Sequence, residues 1–564
     1  MAEFDLVIRG GTFIDGTGLP RYRADVAVKD GRVAAISRRI RPWGAKEIDA
    51  SGCIVAPGAI DLHTHYDAQL NWDPYASLSG WHGVTSLTIG ECGFGFAPTR
   101  PEDRELNMGM MNRIEAIPLE SMRRGMHWDW ESFPEYLDSL ERHGLGVNVG
   151  ALVPFSPLRG YVLGMLPARE RTSVTDAELN RMKQLFYEGM QAGGFGFALD
   201  KNMEDRPEDG GFLPSHVASD EEFFALAEVL GELGRGHMGG TLGLGYTPEQ
   251  RDGVRRMLTE VMRISGRPFQ LLDTDTSSAF KEWRASCRAE GLQLYTQALC
   301  PPDFTERYKL SEYNRFDYMP SWVDPFIGSA EERAAKLRDP RARDAMKRDL
   351  VEWPNPRSDW NFINVLTAAH ERNARFEGMS VPDMARAAGK QPLDAFLDLA
   401  LDEGLETEFH LTYPELSMEQ SQSRGRRFTD PWTHVSASDG GAHTRYLTLS
   451  TWPVWWLAYW SRDLEIMSLE QAHFKMSALP ALITSFKERG TLRPGNWADI
   501  IVYDLDELGF AYDRPVFSND FPGGERRIIQ KAKGLRYTIV NGTVTFEGTG
   551  CTAALPGKLL RSYD

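Results

Sequence analysis

Eight short apolar segments run through the middle of the chain, at 53–61, 84–90, 147–154, 194–199, 234–238, 268–272, 292–298 and 433–438. Helical stretches such as 220–233 and 252–264 fall between most of them. Strands alternating with helices are the pattern of a parallel sheet, and eight such units are the number that closes a (β/α)8 barrel. A chain of 564 residues exceeds one ordinary core but accommodates a barrel plus a smaller unit.

The two ends of the chain read differently from its middle. Asp5-Leu-Val-Ile-Arg and Ala24-Asp-Val-Ala-Val alternate, and the second runs into the hairpin signal Asp30-Gly31. Ala498-Asp-Ile-Ile-Val-Tyr and Tyr537-Thr-Ile-Val, with the turn Asn541-Gly542, repeat that pattern at the far end. The expected organisation is therefore an α/β chain. A small β-sandwich comes from residues 1–54 and 486–564, and a (β/α)8 barrel from 55–485. About 130 residues separate the last two strands, far more than a βα loop needs. With the charged run 331–351 inside it, this interval predicts a helical insertion around 300–430 over the barrel mouth.

Composition narrows the function. A net charge of −17 argues against a nucleic-acid partner or an anionic membrane surface. No apolar stretch of about 20 residues is present to span a membrane. The five cysteines are scattered at 53, 92, 287, 300 and 551, which does not make a disulfide framework. The chain opens Met1-Ala-Glu-Phe-Asp without a basic, then apolar, leader. A cytoplasmic protein acting on a small molecule is expected, with homo-oligomerisation left open.

Barrel enzymes place their chemistry at the C-terminal ends of strands. The first such end carries His63 and His65. Residues i and i+2 of an extended chain point the same way, so both imidazoles can hold one borderline metal such as Zn²⁺. The second end carries Glu91 and Cys92 as competing ligands, ahead of Gly93-Phe-Gly-Phe-Ala-Pro. The fourth ends in Asp200-Lys201, the fifth carries His237 between glycines, and the sixth ends in Asp273. The eighth ends in Asp439, followed by His443 and Arg445. A carboxylate beside an activated water is a natural general base, which fits Asp439. His443 is placed to polarise a carbonyl, and Arg445 to pair with a substrate carboxylate. The aromatic tract beginning at Trp452 reads either as helix packing or as the wall of an aromatic site.

These residues also carry a resemblance. Pro57-Gly-Ala-Ile-Asp-Leu-His-Thr-His-Tyr-Asp resembles the strand 1 signature of the amidohydrolase superfamily. Glu91-Cys-Gly-Phe-Gly-Phe-Ala-Pro, 29 residues beyond His63, is similar to the cysteine-bearing turn of its N-acyl-D-amino-acid deacylase branch. Ser438-Asp-Gly-Gly-Ala-His resembles the strand 8 aspartate motif, and Gly490 to Asp504 the return into the β domain. The resemblance spans nearly the whole chain. It implies a distorted barrel with a small β-sandwich and one or two divalent metal ions, zinc first. It further implies hydrolysis of a C–N amide bond in an N-acyl amino acid or a related or cyclic amide. His63, His65, Cys92 and His237 would be the metal ligands, Asp439 the acid/base, and Lys201 a carboxylated bridging lysine in the pattern of other branches.

Two departures stand out. Where the deacylases carry a histidine and a lysine at strand 6, this chain reads Gln270-Leu-Leu-Asp-Thr-Asp, leaving Asp273 as the substitute ligand. After His237 stand Gly239, Gly240 and Thr241 instead of Arg and an acidic residue. Both changes touch substrate recognition. They leave open a deaminase, lactonase or C–C hydrolase on the same site, and a binding homologue with a decayed site.

Overall fold

The computed structural model describes residues 3–563 except 274, 276, 303, 304, 313, 314, 414, 415 and 513, and describes no side chain at 273 or 305. Its central strands are β1 (Ala59–Asp61), β2 (Val84–Ile89), β3 (Asn148–Ala151, resuming at Val153–Pro154), β4 (Gly196–Lys201), β5 (His237–Leu242), β6 (Phe269–Asp273), β7 (Leu294–Gln297) and β8 (Thr433–His434). Every neighbouring pair is parallel. They form a three-stranded and a six-stranded sheet that meet along both edges. On one side Leu152 N donates to Ile89 O (2.9 Å) and Phe195 N to Ala151 O (2.8 Å). On the other, Leu62 N donates to Ser436 O (3.0 Å) and His65 N to Gly440 O (2.7 Å).

The strands are apolar on both faces because helices cover them outside and side chains fill them inside. Helices Asp176–Gln191, Asp220–Leu233 and Pro248–Ser265 start from Thr175, Ser219 and Thr247 as capping boxes. The segment after β8 buries Trp452, Trp456 and Trp460 completely in the main core, so this tract packs and lines no site.

Strands from both ends of the chain hydrogen-bond into one nine-stranded sheet. Ile54–Pro57 pairs with Leu6–Phe13 on one side and with Ile500–Tyr503 on the other. The interval between β7 and β8 is more than helical. Thr305–Tyr308, Ile363–Thr367 and Glu408–Thr412 make an antiparallel sheet around which several helices and a separate aromatic core gather. Polar and charged residues interrupt the apolar pattern of Thr305–Tyr308 and Glu408–Thr412. None of the five cysteines is in a disulfide, and among the described residues no helix is long and apolar enough to cross a membrane.

Candidate metal centre

The side chains of His63 and His65 leave β1 in the same direction, with ring centroids 5.4 Å apart. Cys92 meets them from a turn after β2 whose backbone is left-handed at Gly90, Cys92 and Gly93. Glycine is required at both flanks: a Cβ on Gly90 would stand 2.3 Å from Leu152 O, and one on Gly93 2.6 Å from Ala198 O. The ligand atoms of His63, His65 and Cys92 all lie within 4.8 Å of one another, and all three residues are buried. Cys92 Sγ is 3.1 Å from His63 Nε2 and 2.9 Å from Thr241 Oγ1. Asp439 Oδ1 approaches His63 Nε2 at 3.2 Å and His65 Nε2 at 3.7 Å.

Burial pushes the Cys92 thiol well up and drives the His65 imidazole down to about 3, so the protein keeps both neutral by itself. Burial works against the Asp439 carboxylate, but His63, His65 and His443 hold it below its ordinary value. Two nitrogens, a sulfur and a carboxylate oxygen are a borderline-soft donor set. Donors sharing a tetrahedral zinc at about 2.0–2.3 Å stand roughly 3.3–3.6 Å apart, close to the separations found here. The residues therefore fit zinc.

The other expected site residues divide. His443 lines the same cavity, its Nε2 3.4 Å from Glu115 Oε2. His237 is a correction: β5 begins at His237 and runs on to Leu242, so His237 stands at the far end of the strand from the cavity. Gly239-Gly240 continue the strand because Gly239 must make room for Glu91, whose Oε2 lies 2.4 Å from where a Cβ would be. Thr241 is the β5 residue that reaches Cys92. Glu91 turns into the interior and accepts from Gln270 Nε2 (2.7 Å), apart from the cluster. Lys201 is corrected as well. Strand alternation turns it outward, over the Phe223 ring and bonded to Ser215 O, while Asp200 takes the inner face against His216 Nε2 (2.7 Å). Arg445 is a third correction. It donates to Asn112 Oδ1 (2.6 Å) and Ala116 O (3.1 Å) and faces a neighbouring cleft. The side chain of Asp273 lies outside the described residues.

The chain matches the amidohydrolase family model (Amidohydro_3) over residues 46–546. The chain belongs to the amidohydrolase family. It is 28% identical to an uncharacterized protein of Mycobacterium tuberculosis, over 97% of this chain and 92% of that one. It is 25% identical to the D-aminoacylase of Alcaligenes xylosoxydans xylosoxydans, over 99% and 97%. Its fold is that of the N-acyl-D-glutamate deacylase of Bordetella bronchiseptica, solved with zinc and a phosphonate mimic of the tetrahedral intermediate (TM-score 0.64, 23% identity, 99% of each chain). A parallel α/β unit with a small β domain is thus the architecture of this amidohydrolase, an enzyme of the class acting on non-peptide C–N bonds.

Several residues of this amidohydrolase site escape strand-end reasoning. Glu115 stands just beyond helix α1 (Arg104–Ile114), buried, with Oε1 3.7 Å from His65 Nε2. Gln297, at the end of β7, meets His63 Nδ1 through Oε1 at 2.7 Å. That contact makes Nδ1 the protonated nitrogen and turns the Nε2 lone pair toward Cys92 and Asp439. The mouth is lined by Glu306, Asp317 and Arg357 from the interval between β7 and β8. Arg357 clasps both oxygens of Glu204 (2.8 and 2.9 Å), and Arg113 pairs with Asp317 (2.6 Å). Gln297 alone carried a sequence signal, as a polar residue at a strand end.

Proposed function

We propose that this chain is a metal-dependent amidohydrolase that cleaves the amide bond of an N-acyl amino acid or a closely related amide. The carrying observation is the convergence of His63, His65, Cys92 and Asp439 on one cavity. The deacylase relatives support the substrate class. The meeting of the parallel sheets along both edges supports a distorted (β/α)8 barrel, with residues 1–54 and 486–564 as the small β domain. Five unpaired cysteines, Cys92 among them, support a reducing, cytoplasmic setting.

His63, His65 and Cys92 would hold the ion, one or two per chain, and Gln297 keeps His63 in the tautomer that could bind it. Zinc bound there supplies Lewis acidity and lowers the pKa of a water toward about 7. Asp439, the carboxylate between the two imidazoles and the cavity, accepts the proton from the attacking water. It returns that proton to the leaving nitrogen as the C–N bond breaks. His443 lines the cavity, where it would donate a hydrogen bond to the developing oxyanion.

Purified enzyme assayed against N-acyl-D-amino acids, aryl amides and lactones tests the reading, with amide hydrolysis expected. Asp439→Asn should lower kcat roughly 10²–10⁴-fold with zinc content retained. Undiminished turnover by this variant would remove Asp439 from the chemistry.

A further inference from the structure

Glu115 belongs to no motif in the sequence, yet it is the buried carboxylate on the α1 side of the centre. Its side chain is 4% exposed, and two imidazole nitrogens lie within 4 Å of its oxygens. His65 Nε2 lies 3.7 Å from Oε1 and His443 Nε2 3.4 Å from Oε2. The backbone fixes it there. His443 N donates to Glu115 O (2.5 Å) and Arg445 Nε to Ala116 O (3.1 Å), so the Asp439–His443 loop and the Glu115 loop are clamped together.

Glu115 lines the same cavity as His63, His65 and Cys92. Its Oε1 stands 3.7 Å from His65 Nε2, near the separation of neighbouring donors around one ion, roughly 3.3 Å or a little more. Among the described side chains, β5 presents Thr241 at the cluster and β6 lines the cavity with Leu272, and neither is a strong metal donor.

We propose that Glu115 is a metal ligand of this centre, binding through Oε1 beside His65 while His443 pins Oε2. The inference rests on the metal centre of the proposed function, and it gives this chain a carboxylate-rich site in which the α1 loop supplies a donor.

Zinc binding by the metal-free full chain, measured by competition with a chromogenic chelator, tests it. Glu115→Gln should bind zinc at least about tenfold more weakly, and its cobalt-substituted form should show shifted d–d bands. His443→Gln, which removes only the support of Oε2, should weaken zinc binding by less than Glu115→Gln. Circular dichroism reports whether Glu115→Gln folds. Should it not, Glu115→Asp is read in its place and should bind zinc measurably more weakly than wild type. Wild-type zinc affinity and an unaltered cobalt spectrum in the folded variant overturn the proposal. Amide hydrolysis by the wild-type enzyme is scored separately. Its absence would overturn the function while leaving the ligand assignment to stand or fall on zinc binding.

Discussion

Three side chains at the cavity stand on left-handed backbone: Cys92 (φ 52°), Asp439 (φ 48°) and His443 (φ 53°). Such conformations cost a non-glycine residue on the order of 1–3 kcal/mol and persist where the surroundings over-determine them. The surroundings do so here. The Asp439 amide donates to His63 O (3.1 Å), and the Cys92 turn is wedged between β3 and β4. Gln297 performs the matching task for a side chain by fixing which nitrogen of His63 carries the proton. Gln297→Leu keeps the volume but loses the acceptor, so zinc affinity should fall about 10–100-fold with the fold intact. Chelator competition measures this, and an unchanged affinity would mean that His63 is oriented by packing alone. The His63–His65 pair was legible from sequence because the two-residue repeat of a strand is local. Glu115 was illegible because it sits at a helix end, and only the docking of that helix brings it to the cluster.

At the scale of elements, β5 is decisive. Ending the strand at residue 238, just before the glycine pair, put His237 at its functional end. The glycines instead lie inside β5, where neighbouring groups approach its backbone closely. Gly239 faces the Glu91 carboxylate, and a Cβ on Gly240 would lie 2.8 Å from Leu199 O. Extending the strand by four residues exchanges His237 for Thr241 at the cavity. Gly239→Ala should cost about 1–3 kcal/mol as Glu91 and Gln270 are displaced. Urea melts check the loss, and a variant as stable as wild type would show that the Glu91 carboxylate swings aside freely. Strand alternation likewise separates Asp200 from Lys201, and it could have been read once the end of β4 was fixed at residue 201 rather than 199.

At the scale of the whole molecule, buried polar groups stitch the terminal sheet to the parallel strands. Asn148 of β3 donates to Asp499 (3.2 Å) and accepts from Asn541 (2.7 Å), and Arg489 joins Asp499. His473, on the segment that leads back toward the terminal sheet, bonds Tyr503 Oη at 2.8 Å. Burial lowers its pKa to about 3. The folded protein therefore keeps His473 neutral, whereas the unfolded chain protonates it below about 6.5. Its contribution is fully present above pH 6.5 and is lost as pH falls toward 3. Its loss amounts to about 1.4 kcal/mol per pH unit, and less to the extent that the folded protein relaxes. His473→Gln should therefore be most destabilising at neutral pH, and the gap from wild type should narrow between pH 6.5 and 4.5. Parallel melting curves at each pH measure the gap, and a constant difference would refute the assignment. The interval between β7 and β8 acts at this scale too, because it brings Arg357, Glu306 and Asp317 to the mouth from more than 200 residues beyond β1.

The sequence by itself determined the run of parallel strands, the union of the two ends in one β unit, the same-side histidines and the glycine-flanked cysteine turn. Each is written in short-range spacing, which backbone periodicity converts directly into geometry. Only the tertiary structure decided where β5 ends, that Lys201 and Arg445 face away from the cavity, and that Glu115, Gln297 and Arg357 face into the site. Those outcomes depend on strand stagger, on how closely one backbone approaches another, and on the docking of distant loops. Spacing along the chain does not encode these quantities.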